Sequence, residues 1–269
     1  WSIERLIFIA WLAQVVFTPL IALPTDLVDN HFLLLALSTG AVGAVAFFIL
    51  TTTVMRTWHL SWPGLKPHWS GDFNWGIFAG LVVVDIIFMA LNTGEMPRLH
   101  RANWDFTLSA FEAAVMEETL FRFAILGILF YAWRNVKQRL PLALATSSIL
   151  FGIVHLTNYG PQEWSMTVLQ AVSAAGIGLF FATVYVYTGQ LWLAMVMHFL
   201  LDWTAFIASD STLMTGKVTV QNWIGTGIEL VVFIGIAVWM MFGQRRQVME
   251  RHVNRLTGEH QRFDFMIQY

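Results

Sequence analysis

Eight stretches of about 20 mostly apolar residues constrain the fold of this chain more than any other feature of its sequence. A helix needs about 20 residues to cross the hydrocarbon core of a bilayer. We therefore predict an all-α fold, a polytopic membrane helix bundle with about eight transmembrane helices. The predicted spans are roughly 3–23, 32–55, 74–92, 106–133, 140–157, 164–187, 191–208 and 222–243.

The composition agrees with a chain that is mostly surrounded by lipid. Of the 269 residues, 57% are hydrophobic and 12% are charged, whereas about a quarter of the residues in a soluble domain are charged. The formal net charge of −2 argues against a nucleic acid as partner. We predict a single transmembrane domain, residues 1–243, followed by a basic cytoplasmic tail, residues 244–269.

The Lys and Arg residues indicate the orientation, because cytoplasmic loops carry an excess of them. If the N-terminus is cytoplasmic, eleven Lys and Arg residues fall on the inside, and three, Arg98, Arg101 and Lys217, fall on the outside. The remaining one, Arg122, lies within a span. We therefore expect an integral membrane protein with both termini in the cytoplasm.

Ionisable residues inside the predicted spans are costly in lipid and are therefore functional candidates. In the fourth span, Glu118 and Arg122 are four residues apart, so they share a helix face and are expected to pair. Glu117 is rotated by about 100° from Glu118 on a helix. Its own face carries no cation, so this carboxylate should meet polar groups from another helix.

Two further spans contribute imidazoles. His198 and Asp202 are four residues apart on the seventh span, and His155 lies near the outer end of the fifth. Polar faces should turn away from lipid toward the bundle interior, so we expect these residues to converge with the carboxylates of the fourth span. The other intramembrane carboxylates are expected to be helix contacts or to line a cavity: Asp85, Glu112 and Glu229.

This set of residues permits two kinds of hydrolysis. A carboxylate with imidazoles and a bound water suits general-base hydrolysis, in which an imidazole stabilises the developing oxyanion. The same set could instead hold zinc through Glu117, His155 and His198, with water in the fourth position. The chain has no Cys, so no thiolate chemistry is available. We expect no cofactor, and the sequence leaves zinc open as the alternative.

Three motifs on successive helices resemble those of a known family. "EETLFR" at 117–122 fits EExxxR, "FGIVH" at 151–155 fits FxxxH, and "HFLLD" at 198–202 fits HxxxN/D. Together and in this order, they resemble the CPBP family over roughly residues 105–208. This family includes CAAX prenyl endopeptidases of the Rce1 type, bacteriocin-processing and self-immunity proteins, and abortive infection proteins.

The resemblance implies an intramembrane glutamate protease and a role for each matching residue. Glu117 would be the general base that activates water, and His155 would help to position that water. His198 and Asp202 would stand where the family stabilises the oxyanion, and the Glu–Arg pair of the fourth span would support them.

One position departs from the eukaryotic CAAX proteases, which have Asn where this chain has Asp202. An ionised Asp cannot donate a hydrogen bond to an oxyanion. Asp202 must therefore be protonated, or orient His198, or have another role. Bacterial members of the family often have Asp at this position, so the resemblance is kept.

The expected function is an intramembrane endopeptidase that matures a terminus of a membrane-associated peptide or protein, in the inner membrane of a bacterium. The alternative is a non-catalytic subunit that serves as an immunity, assembly or structural partner in a larger membrane complex, because a family fold does not guarantee activity. On the predicted topology, Glu117 lies about 18 Å along its helix from the outer end. The site should therefore open toward the non-cytoplasmic side.

Overall fold

The computed structural model describes residues 2–21, 30–60, 73–93, 101–214 and 216–258. In these residues the regular structure is helical, with one isolated β-bridge between Tyr159 and Gln162. The prediction of an all-α fold is therefore confirmed for this part of the chain. The α-helices are α1 Ser2–Ile21, α2 His31–Ser38, α3 Ala41–Thr57, α4 Trp75–Thr93, α5 Trp104–Glu117, α6 Leu126–Ala132, α7 Arg139–Val154, α8 Trp164–Thr188, α9 Leu191–Ser209, α10 Val220–Met240 and α11 Gly243–Leu256.

Four helical segments of the described residues are long and apolar enough to cross a membrane: 139–158, 164–188, 191–209 and 220–240. A fifth is present if α2 and α3 form one broken span, since they are bent by 61° at a left-handed Gly40 with φ 82°. The chain is thus an integral membrane protein. The predicted count of about eight spans is not confirmed, and the bend within the predicted span 32–55 was not predicted.

A π-helical turn, Glu118–Ile125, joins α5 to α6 within the predicted span 106–133. Such turns are rare and are frequently found at functional sites, because they insert an extra residue into the helical register. Ser147 of α7 donates a hydrogen bond of 2.9 Å to the carbonyl oxygen of Phe121, inside the turn. The charged residues of the fourth span therefore lie where the α-helical register is broken.

Helices α7 and α8 approach each other closely through small residues. A Cβ atom on Gly152 would lie 2.6 Å from the carbonyl oxygen of Ala171 and 2.8 Å from the Cβ of Ala175. A Cβ on Gly178 would lie 2.9 Å from the Phe151 ring. The small residues of α8 thus form a packing surface for α7, as small residues do between helices in lipid.

Helix α9 packs against both α5 and α4. The indole of Trp203 on α9 donates a 3.1 Å hydrogen bond to the hydroxyl of Thr107 on α5. The start of α4 is held at the end of α8, where the backbone N–H of Asn74 donates a 3.2 Å hydrogen bond to the Tyr187 hydroxyl. The first contact joins α9 to α5, and the second joins the start of α4 to α8.

Helix α11 belongs to the segment that the sequence analysis treated as a basic tail, and it packs against the bundle. Its buried residues include Val248, Met249 and Val253, which recur at helical spacing and cover the end of α8. His252 Nδ1 lies 3.0 Å from the carbonyl oxygen of Val186, and burial lowers the pKa of this imidazole. The last part of the predicted tail, 259–269, lies outside the described residues.

Candidate active site

His198 is the centre of the polar cluster, and three carboxylates surround its imidazole ring. Nδ1 lies 2.9 Å from Oε1 of Glu118. On the other side of the ring, Nε2 lies 3.2 Å from Oδ2 of Asp202 and 3.7 Å from Oε2 of Glu117. His198 lies on α9 and is itself buried. Its ring meets Glu117 at the end of α5 and Glu118 at the start of the π-helical turn.

Glu118 connects His198 to Arg122. Its Oε2 lies 3.1 Å from Nε of Arg122, while Oε1 faces His198. The Arg122 guanidinium lies over the Phe151 ring, 4.2 Å from its centroid, which adds a cation–π contact from α7. The sequence analysis expected the pairing of Glu118 with Arg122, and the additional contact of Glu118 with His198 was not predicted.

Glu117 and Glu118 are neighbours in the chain but have different surroundings. The Glu118 side chain is 0% exposed, whereas that of Glu117 is 23% exposed. The carboxylate of Asp202, also at Nε2 of His198, is 25% exposed. The cluster is therefore closed on the Nδ1 side of His198 and accessible on the Nε2 side.

The contact with Glu118 defines how His198 is protonated on the closed side. An ionised carboxylate only accepts hydrogen bonds, so Nδ1 carries a proton and donates it to Glu118. Nε2 faces Glu117 and Asp202, which means that a proton must also lie between this nitrogen and these two carboxylates. A shared proton beside an accessible carboxylate is suited to acid–base chemistry.

His155 lies at the junction of α7 with a 3₁₀ turn, His155–Asn158, and is half-buried. Its Nδ1 lies 2.8 Å from the carbonyl oxygen of Phe151. A carbonyl only accepts, so Nδ1 donates and the neutral ring has an unprotonated Nε2. The Phe151 ring contacts both imidazoles, with its centroid 4.7 Å from that of His155 and 6.1 Å from that of His198, and no hydrogen bond joins His155 to His198 or Asp202 in the described part of the chain.

Several polar residues near the site were not expected to belong to it. Glu112 lies on α5, five residues before Glu117, and Asp85 is a buried residue of α4. Both were interpreted as helix contacts or cavity-lining residues, and their intramembrane charge was the signal that could have placed them nearer to the site. Behind His155, Gln170 accepts hydrogen bonds of 2.9 Å from two amide side chains, those of Asn158 and Gln162.

Glu229 is separate from this cluster. It lies on α10, is 4% exposed, and accepts a 2.9 Å hydrogen bond from the Ser173 hydroxyl of α8. It therefore acts as a contact between two helices, as its position in the sequence led us to expect.

The zinc alternative requires Glu117, His155 and His198 to share one ion. In the described residues, no group of three or more His, Asp or Glu side chains has the arrangement of a metal site. The contacts of His198 go to carboxylates on both of its ring nitrogens instead. The geometry therefore provides no support for a three-ligand zinc site formed by these residues.

The fold and the cluster define a class, namely an integral membrane protein with an accessible carboxylate–imidazole site in its helical bundle. Residues 100–204 match the family model described as Type II CAAX prenyl endopeptidase Rce1-like. This match covers 105 of the 269 residues and confirms the predicted resemblance to the CPBP family, and that family suggests a CAAX-type intramembrane protease. No curated protein and no solved structure shows significant similarity to the chain.

Proposed function

We propose that this protein is an intramembrane endopeptidase in which Glu117 activates the attacking water. The observation that carries this proposal is the contrast between two adjacent carboxylates. Glu118 is fully buried between Arg122 and His198, whereas Glu117 is accessible and faces His198 Nε2 at 3.7 Å. A general base must reach both solvent and the substrate. Of the two glutamates, only Glu117 has the surroundings to do so.

In the proposed mechanism, Glu117 and the unprotonated Nε2 of His155 hold the water. Glu117 takes one proton while the water oxygen attacks the carbonyl carbon of the scissile peptide bond. The carbonyl oxygen becomes an oxyanion, which the Nε2–H of His198 stabilises. Glu117 then gives its proton to the departing amine nitrogen as the C–N bond breaks, which leaves a new amine and a new carboxylic acid that loses its proton to water.

Asp202 has an orienting role in this proposal. Its carboxylate lies 3.2 Å from His198 Nε2, on the same ring edge that faces Glu117. A carboxylate at this position keeps a proton on Nε2 and limits rotation of the ring, and it does so without donating a hydrogen bond itself. Of the roles that the sequence left open for Asp202, orientation of His198 is the one that its position supports.

We propose a membrane-associated peptide or protein as substrate, with cleavage near one of its termini. The site lies among apolar helices, so a substrate must reach it from the bilayer or from the membrane surface. The family description names CAAX prenyl endopeptidases, so a prenylated C-terminal peptide is a reasonable first probe. No observation favours the alternative of a non-catalytic subunit in a larger complex.

This proposal is tested by hydrolysis in H₂¹⁸O. A farnesylated peptide and the same peptide without the lipid are incubated with protein in micelles, and the masses of the products are measured by mass spectrometry. We expect one ¹⁸O atom in the new C-terminal carboxylate, none in the protein, and no inhibition by 1,10-phenanthroline. Label in the Glu117 side chain would contradict direct attack by water, and inhibition by the chelator would favour the zinc alternative.

We also propose eight spans with both termini in the cytoplasm of a bacterium. Arginines near three helix ends stack on aromatic rings, as expected of residues at a membrane interface: Arg5 on Trp58, Arg134 on Tyr131 and Arg245 on Trp239. All three arginines lie in segments that the distribution of Lys and Arg predicts to be inside.

The orientation predicts that the end of the bundle near His155 faces the non-cytoplasmic side. Because the chain has no Cys, a single Thr157→Cys substitution at this exposed position gives a clean label site. A membrane-impermeant maleimide should modify this cysteine in intact cells, and Arg134→Cys at the opposite end should react only after the membrane is opened. Labelling of position 157 only from the cytoplasm would reverse the topology.

A further inference from the structure

The His155 ring has one hydrogen-bond partner among the described residues, and this partner belongs to its own helix. Nδ1 donates to the carbonyl oxygen of Phe151, 2.8 Å away. The bond fixes the ring relative to the end of α7, but it does not fix the end of α7 relative to the other helices of the site. The place of His155 in the site therefore depends on what holds the backbone on either side of it.

The backbone before His155 is held against α8 at Gly152. A Cβ atom on Gly152 would lie 2.6 Å from the carbonyl oxygen of Ala171, so the two helices meet there at backbone distance. Gly152 precedes His155 by three residues, which is slightly less than one helical turn. Helix α7 is therefore fixed on α8 up to the last turn before His155.

The backbone after His155 is held on α8 by the residue next to Ala171. Oε1 of Gln170 accepts a 2.9 Å hydrogen bond from Nδ2 of Asn158 and another of 2.9 Å from Nε2 of Gln162. Asn158 is the last residue of the 3₁₀ turn that begins at His155. Since Asn158 follows His155 by three residues, the imidazole lies midway between two points of the chain that consecutive residues of α8 hold.

The segment between the two amide side chains is closed by its own backbone. The N–H of Gln162 donates to the carbonyl oxygen of Asn158 at 3.1 Å, and the N–H of Gly160 donates to the carbonyl oxygen of Gln162 at 3.3 Å. Gly160 has φ 115°, in the left-handed region that favours glycine. These bonds lie within the loop, so they keep its shape without attaching it to the bundle.

The attachment of this loop to α8 depends on the amide side chains. Gln162 is buried, and Asn158 and Gln170 are half-buried. An amide group without a partner is costly in such surroundings, so the two hydrogen bonds to Gln170 resist displacement of the loop. A second contact between the loop and α8, the ring pair Tyr159–Trp164, lies at the surface, where both side chains are more than half exposed. The Gln170 oxygen is therefore the main polar support of the backbone that follows His155.

We propose that Gln170 is a positioning residue that acts through His155. By accepting both amide hydrogen bonds, its side-chain oxygen keeps the 3₁₀ turn and the following loop on α8, and this holds the unprotonated Nε2 of His155 where the attacking water binds. Gln170 lies outside the three sequence motifs of the site, and in this role it touches neither water nor substrate. The inference deepens the proposed function and rests on it for its kinetic consequence, whereas the effect on the His155 ring is independent of any substrate.

The first test reads the tautomer of the His155 ring. Protein with ¹⁵N-labelled histidine rings is measured by NMR in micelles, and the His155 signals are identified by their loss in His155→Gln. In the wild-type protein we expect one neutral tautomer with its proton on Nδ1, because the Phe151 carbonyl only accepts. A turn that is no longer held on α8 should release this bond and give a mixture of the two tautomers.

Three variants of α8 are compared in this test. Gln170→Met removes the acceptor oxygen but keeps the length of the side chain, so we expect mixed tautomers. Gln170→Glu keeps an acceptor oxygen and should retain the wild-type signals. Ser173→Ala is the matched control, because it removes a side-chain hydrogen bond of 2.9 Å that the same helix makes to α10, away from the turn. It should leave the His155 signals unchanged.

The second test uses cleavage of the farnesylated peptide. Gln170→Met is expected to lower kcat about 10- to 100-fold with KM unchanged, since a displacement of about 1 Å at a catalytic group can cost up to about 10²-fold. Gln170→Glu should retain most of the rate, and Ser173→Ala should retain all of it. In a His155→Ala protein, Gln170→Met should cause no further loss, because its effect passes through His155. Losses that multiply in the double variant would mean that Gln170 supports the fold in general, and they would overturn the inference.

The two tests separate the inference from the proposed function. Unchanged His155 signals in Gln170→Met would overturn the inference, whether or not the protein cleaves the peptide. If this variant does not purify as a folded protein, Asn158→Ala, which removes one of the two hydrogen bonds, is measured in the same way, and unchanged signals have the same meaning. Mixed tautomers in a protein that cleaves no peptide would support the inference and count against the proposed protease function.

Discussion

Replacement of Glu117 by Gln is expected to lower the rate of peptide hydrolysis about 10²- to 10⁴-fold, which is the contribution typical of a general base. The amide has the same shape as the carboxylate but cannot accept the proton of the attacking water. The loss should appear in kcat, because substrate binding does not depend on this proton transfer. Initial rates with the farnesylated peptide, measured at equal protein concentration, provide the comparison.

Asp202→Asn is the matched comparison for this variant. Both substitutions change a carboxylate into an amide at Nε2 of His198, and the two side chains are similarly exposed, at 23% and 25%. The Asn amide can still accept a hydrogen bond from Nε2 through its oxygen, so this variant should lose much less activity than Glu117→Gln. Equal losses in the two variants would mean that Glu117 serves only as a charge near His198. Full activity in Glu117→Gln would remove it as the base.

Replacement of Arg122 by Met is expected to destabilise the protein by up to about 3–5 kcal/mol, the cost typical of removing one member of a buried ion pair, because Glu118 is left with His198 as its remaining partner. Glu118 is 0% exposed and Arg122 is 1% exposed, so water cannot replace the lost guanidinium. Met keeps a long apolar side chain at this position but also removes the cation–π contact with Phe151. The free energy of unfolding in mixed micelles with increasing SDS is the appropriate measurement.

Two further variants show whether the cause is the unpaired charge. Arg246 pairs with Glu250 at the same four-residue spacing as the Glu118–Arg122 pair, but its side chain is 42% exposed. Arg246→Met should therefore cost less than about 1 kcal/mol, as is usual for surface pairs. The double variant Glu118→Gln with Arg122→Met should recover part of the lost stability, because no buried charge remains unpaired. A double variant as unstable as Arg122→Met would indicate that lost packing, rather than charge, is responsible.

The sequence predicted the helical class well, because the length and apolarity of a span are local properties. Each predicted span in the described residues coincides with helical structure, although α2 and α3 are separated at Gly40. The number of spans is a weaker prediction because it depends on how broken or charged helices are treated. Residues 104–132 show the difficulty, since their charged side chains and their π-helical turn reduce their likeness to an apolar span.

The role of α11 could be recognised only in part from the sequence. Its arginines made it look like a solvated tail, whereas its apolar residues recur on one face. Whether such a face is buried depends on a matching surface, and the end of α8 provides one here. Local charge and spacing do not contain that information.

The sequence by itself determined which residues are candidates for chemistry. Carboxylates and imidazoles within apolar helices stand out because they are costly in lipid, and their spacing showed that Glu118 and Arg122 share a face, as do His198 and Asp202. It also showed that Glu117 points away from Glu118. These are properties of a single helix, so no knowledge of neighbouring helices was needed.

Only the tertiary structure decided which residues meet across helices. It showed that Glu118 joins Arg122 to His198, that Glu117 and Asp202 share the accessible side of that ring, and that His155 is held by a carbonyl of its own helix. Spacing along a helix cannot predict these contacts, because they depend on the rotation and relative depth of helices that pack through glycine and aromatic residues far away in the chain.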